Sequence, residues 1–127
     1  MITLLSPAKD LATEVPKGIK PLTQAVLLEH SVPLADKLRT LSAKKLAQLM
    51  DLSDKLAELN HERYQRWSLP FTPTNARPAA FVFNGEAYRG LDARTLAAGD
   101  LRFAQYHLRI LSGLYGILRP LDLIQDH

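Results

Sequence analysis

The run Leu108-Arg109-Ile110-Leu111-Ser112-Gly113-Leu114-Tyr115-Gly116-Ile117-Leu118-Arg119-Pro120-Leu121-Asp122-Leu123 decides how the chain is read. Leu101, Ala104, Leu108 and Leu111 recur at helical spacing, so a helix is expected from an Asp100 cap to Ser112, with Gly113 just past its end. Pro120 suits the first turn of a second helix, where its missing N–H would be unbonded anyway. Residues 101–124 therefore read as helix, glycine hairpin, helix. Backbone N–H groups around Gly116 would then face outward at a helix start and suit a phosphate. Arg109 and Arg119 would add charge on either side. The same residues also read as a capping glycine, a structural turn and a buried apolar segment. Taken alone they favour that plainer reading and leave both open.

Working outward, Ile2-Thr3-Leu4-Leu5 reads as a short buried strand ended by Ser6-Pro7. Pro21 is placed to open a helix reaching His30, and Pro33 to open another. Ser42 caps a helix over Ala43–Met50, and Asp51 or Ser53 caps one ending near Trp67. Residues 68–78, with three prolines, form a loop. Ala79-Ala80-Phe81-Val82-Phe83 is the second strand, and Asn84-Gly85 a tight-turn signal with a short return at Ala87-Tyr88. Leu91 to Ala98 reads as a short helix. The expected class is α+β and helix-rich, with short strands near 2–5 and 79–83, in a single domain over 1–127. A lone strand at the N-terminus needs sheet partners for its backbone groups, so the chain reads as a truncated part of a larger mixed α/β fold.

Composition sets limits rather than answers. The chain has 127 residues, 46% of them hydrophobic and 23% charged, which is ordinary globular material. Sixteen basic residues against thirteen acidic give +3, which permits a nucleic-acid partner without pointing to one. With no cysteine there is no disulfide framework, thiolate metal site or thiol chemistry. No apolar run approaches the ~18 residues of a membrane span, and no basic segment precedes the first apolar residues. The expectation is a cytoplasmic protein with no membrane partner.

Three segments together resemble the YaaA family of bacterial peroxide-stress proteins. They are Ser6-Pro7-Ala8-Lys9, Phe83-Asn84-Gly85-Glu86-Ala87-Tyr88-Arg89-Gly90-Leu91, and Leu111-Ser112-Gly113-Leu114-Tyr115-Gly116-Ile117-Leu118-Arg119-Pro120-Leu121-Asp122. Ser53-Asp54-Lys55-Leu56-Ala57 and Phe71-Thr72-Pro73 with Asn75-Ala76-Arg77 also look like family positions. The likeness spans the chain in order. Family members run on for about as long again, so this chain resembles their N-terminal half. The resemblance implies a helix-hairpin-helix that binds duplex DNA without sequence preference. It also implies a part in limiting iron-dependent oxidative damage, with an indirect link to iron. It brings no catalytic reaction and no cofactor.

On that reading the DNA-contacting residues are Arg109, Gly113, Tyr115, Gly116 and Arg119, helped by Lys9 and Arg89. Without the resemblance, Lys9 is a solvated lysine at a strand end and Arg89 a surface arginine beside a turn. An alternative places a nucleotide or small-molecule site, or an enzyme, in a cleft around Lys9 and Arg89. The sequence favours a non-catalytic protein: no phosphate-loop lysine, no Gly-x-Gly-x-x-Gly and no Gly-x-Ser-x-Gly elbow is present. His30, His61, His107 and His127 are scattered without ligand spacing, so no metal site is expected.

Overall fold

A computed structural model describes all 127 residues. In chain order the elements are β1 (Thr3–Leu5), β2 (Thr23–Gln24), α1 (Leu28–Arg39), α2 (Ala43–Met50), α3 (Asp54–Arg66), β3 (Arg77–Pro78), α4 (Ala79–Val82), α5 (Glu86–Leu91), a 3-10 turn (Ala93–Thr95), α6 (Ala98–His107), β4 (Leu108–Ser112), β5 (Gly116–Leu118) and β6 (Asp122–Ile124). The α+β, helix-rich class is as expected. Two small mixed sheets organise it, one in the order β1-β4-β5 and the other β2-β6-β3. In the first, β1 runs parallel to β4, and β4 runs antiparallel to β5. In the second, β6 is central, parallel to β2 and antiparallel to β3.

The middle helices form as their caps dictate. The Ser42 hydroxyl accepts from Lys45 N–H at 3.2 Å, and the Ser53 hydroxyl from Leu56 N–H at 3.3 Å. Asp51 ends α2 in the left-handed region instead of capping α3. Asp100 sits inside α6, its carboxylate reaching back to Ala97 N–H at 3.2 Å. Residues 21–27 are not helical, since β2 pairs there with β6, and one helix, α1, contains Pro33. The carbonyl that this proline leaves without a helical donor belongs to Glu29, an exposed residue, so water can serve it.

Between residues 79 and 98 three expectations are overturned. The expected strand at 79–83 is a single helical turn, α4, buried throughout. A short continuous apolar run fits either conformation, and its surroundings decide. Here Ala80 N–H donates to Pro120 O, and Val82 O accepts from Ala12 N–H, so the buried turn has backbone partners outside itself. Asn84-Gly85 accordingly leads into α5 rather than turning a hairpin, and Leu91–Ala98 is split by the 3-10 turn.

The helix-hairpin-helix over 101–124 is not formed. The helix ends at His107 and the chain continues as β4, a turn, β5 and β6. Leu108 and Leu111 fit a helical stripe, but Leu108 and Ile110 also fit a strand's alternation, and both are buried. β1 settles the ambiguity because its backbone groups need a ladder, and Thr3, Leu4 and Leu5 find it opposite Leu108, Arg109 and Ile110. The glycine turn then joins β4 to β5, with Ser112 paired to Gly116.

The two glycines differ in what they do. Gly116 has φ +76°, and a Cβ there would lie 2.8 Å from Leu27 Cδ1. Gly113 has neither restriction, and a Cβ there would meet open space. Gly116→Ala is therefore expected to destabilise the chain by about 1–2 kcal/mol from the left-handed backbone alone, plus the cost of displacing Leu27. Gly113→Ala is expected to leave the thermal midpoint almost unmoved. Melting of the two variants side by side checks both.

Candidate functional site: a cationic cleft braced by the glycine turn

Of the residues singled out in the glycine-rich run, Tyr115 turns inward and Arg109 and Arg119 engage acceptors within the chain, while Gly113 and Gly116 are exposed turn and strand backbone. Tyr115 is fully buried, and its hydroxyl is saturated. It accepts from Trp67 Nε1–H at 2.9 Å and from Gln125 N–H at 3.1 Å, and donates to Gln125 O at 3.2 Å. Burial raises its pKa well above that of a free phenol. Its ring meets Phe71 edge-on at 6.1 Å, and Trp67 lies 6.5 Å away. Arg119 is held on the buried carboxylate of Asp122, with Nη2 at 2.9 Å and Nε at 3.1 Å from Oδ1, and it also donates to Gln24 O at 2.8 Å. Arg109 donates from Nη1 to Gln105 O at 2.7 Å and Leu108 O at 2.8 Å, answering carbonyls at the end of α6. The Gly116–Leu118 segment lies in the β4–β5 ladder, not at a helix start. These residues brace the fold.

Lys9 and Arg89 are both exposed. Their segments meet. Tyr88 Oη donates to Ser6 O at 2.5 Å, and Asn84 Nδ2 donates to Asp10 Oδ2 at 2.7 Å. Burial pushes the Tyr88 phenol up to about 12. A cleft of about 440 Å³ includes Arg89 with Thr13, Glu14, Asp92 and Arg94, and Lys9 lies outside it.

A larger cleft, of about 920 Å³, lies between the 15–22 segment, the end of α3, the 68–78 loop and the end of β6. Four cations line it, Lys17, Arg63, Arg66 and Arg77, against the single carboxylate of Asp126. Arg77 is engaged, donating to Asp126 Oδ1 at 2.7 Å and to Ala12 O at 2.8 Å. Lys17, Arg63 and Arg66 make no ion pair and no side-chain hydrogen bond within the chain. Arg63 and Arg66 occupy the last turn of α3, where positive charge is favoured by the helix dipole. The cleft's rim is fixed from below: Gln125 Oε1 accepts from Ser68 N–H, and Gln125 Nε2 donates to Ser68 O, both at 3.0 Å. Tyr115 grips the same Gln125 through its backbone, so the glycine turn supports the cleft from behind.

Sequence reasoning missed this cleft. Arg63 and Arg66 were legible only as three residues apart on one helix, and Lys17 as part of a loop. Nothing in the sequence shows that a loop some 45 positions upstream folds against that helix end. No three His, Asp or Glu side chains are grouped closely enough to share a metal ion. The rings of His61 and His107 face the carbonyls of Leu41 and Met1, at 3.1 and 3.2 Å.

The whole chain, residues 1–127, matches the family described as peroxide stress protein YaaA. It belongs to that family. UPF0246 proteins of Burkholderia vietnamiensis and Burkholderia mallei are each 51% identical to it over 127 residues. One from Burkholderia cenocepacia is 50% identical over the same length. Each match covers 100% of this chain but 49% of the relative, so the chain spans about half the length of these relatives. No helix is long and apolar enough to cross a membrane.

Two outcomes follow from the buried end of this site. Tyr115→Phe leaves the indole N–H of Trp67 buried without an acceptor, and should cost about 1–3 kcal/mol in a denaturant melt. The His127 ring packs edge-on against Tyr115 at 5.3 Å, and desolvation there lowers its pKa from 6.5. Below pH 6.5 the unfolded chain therefore binds more protons than the folded one, and stability falls as pH drops toward the depressed folded value. His127→Gln should flatten that part of a stability-against-pH curve.

Proposed function

We propose that this chain is the DNA-contacting part of a cytoplasmic peroxide-stress protein, and that it holds the phosphate backbone in the cleft lined by Lys17, Arg63, Arg66 and Arg77. The carrying observation is the excess of cations at one concave site, three of them without an acidic partner inside the chain. Charges left unpaired in a groove concentrate field lines and favour a polyanion. Contacts of this kind position a protein on DNA without reading its sequence, in keeping with non-specific binding. In this reading the glycine-rich run acts at second hand, holding Gln125 and Trp67 in place through Tyr115. Arg119 and Arg109 serve the fold, and Lys9 and Arg89 lie outside the groove. Protection against iron-dependent damage then comes from occupying DNA, and the link to iron is indirect.

The test is a fluorescence anisotropy titration against duplex DNA at several salt concentrations. Arg63→Ala combined with Arg66→Ala should weaken binding by about tenfold near 0.1 M salt and flatten the log–log salt slope by about two. Arg89→Ala should bind as the parent does. If the double variant keeps the parent's affinity and slope, the reading fails. Stabilisation of the chain by nucleotides but not by DNA, lost in Arg89→Ala, would move the function to the smaller cleft.

A further inference from the structure

The β1-β4-β5 sheet has one face turned into the core and one turned out. Register and alternation put Leu5, Leu108, Ile110 and Leu118 on the inner face and Leu4, Arg109, Leu111 and Ile117 on the outer. The inner side chains are buried or nearly so. On the outer face Leu4 is 58% exposed and Leu111 42% exposed, and Ile2, one alternation before Leu4, is 52% exposed. The one charge on this face, Arg109, turns its guanidinium back onto the carbonyls of Gln105 and Leu108. What remains is an apolar strip across three strands, interrupted only by Arg109, with β1 and β5 both unpaired at their outer edges.

Exposed apolar strips on a sheet face mark interaction surfaces. The relatives indicate the cover. They carry this segment at about 50% identity inside chains of which it makes up 49%, so an equal length of polypeptide accompanies it there. We propose that the outer face of the β1-β4-β5 sheet, centred on Leu4 and Leu111, is the seat for that other half of the family fold. A second copy of this chain is the competing occupant.

Because the chain has no cysteine, a single introduced thiol reports on this face. Leu111→Cys would be placed in the 127-residue chain and in a chimera. The chimera joins the chain, in the relative's own order, to the unmatched half of the Burkholderia vietnamiensis protein. Maleimide labelling of the peptide carrying position 111 would be followed by mass spectrometry, with Glu29→Cys as an exposed reference. The expected result is labelling at least tenfold slower in the chimera than in the chain at position 111, and equal in the two at position 29. Leu4→Lys with Leu111→Lys should likewise lower the melting midpoint of the chimera by several degrees more than that of the chain alone. Equal labelling of position 111 in the two proteins, whether or not the chimera folds, overturns the proposal. So does protection in the chain alone that grows with concentration alongside a sedimenting dimer.

Discussion

The carboxylate of Asp122 is the point on which the β2-β6-β3 sheet, the last helix and the turn after β5 agree. It is fully buried, and a buried charge is tolerated only where donors surround it. Arg119 supplies its own backbone N–H at 2.8 Å as well as its guanidinium, and Thr23 Oγ1 donates at 2.5 Å. Thr23 in turn accepts from Gln105 Nε2 at 2.9 Å, and Gln105 Oε1 takes Leu121 N–H at 2.9 Å. One acidic side chain thereby links β2, β6, α6 and the turn that follows β5. Each member fits the donor and acceptor inventory of its neighbours, so removing any one leaves a buried group unmet.

A second buried group carries this order to the surface. Tyr115 stands between Trp67, at the end of α3, and Gln125, just beyond β6. The indole fixes the place where the helix bearing Arg63 and Arg66 stops. Gln125 fixes the opposite wall and, through Ser68, the start of the intervening loop. Three of the cleft's cations, Lys17, Arg63 and Arg66, are unpaired at their tips, while the backbone that carries the two arginines is fixed at the end of α3. A conspicuous motif can thus be indispensable to a surface it does not form. The distinction matters for mutagenesis: replacing Arg119 strips donors from the buried Asp122 carboxylate, whereas replacing Arg63 removes a charge that nothing inside the chain engages.

Much of the local structure was legible. Ser42 and Ser53 cap helices because a short hydroxyl followed by helix-forming residues satisfies orphan N–H groups wherever the chain goes. The strand expected at residues 2–5 forms over Thr3–Leu5 and finds the partners it needs, but it is not buried as expected, because it lies at a sheet edge with Leu4 facing outward. The glycine-rich run was legible as a turn, and its family likeness carried across the whole chain. Helix or strand on either side of that turn was not legible. Leu108, Ile110, Leu111, Ile117 and Leu118 satisfy both periods, and no residue among them vetoes either.

By itself, then, the sequence determined the family, the α+β class, the capped middle helices and the placing of a tight turn at Gly113–Gly116, all matters of local pattern and local stereochemistry. The tertiary structure decided what the turn connects, because β1 needed a parallel ladder that only the 108–112 segment supplied. It also decided which cations are free. Arg109 and Arg119 look as available as Arg63 and Arg66 in sequence. Only packing brings the first pair onto buried acceptors and leaves the second pair facing an open cleft.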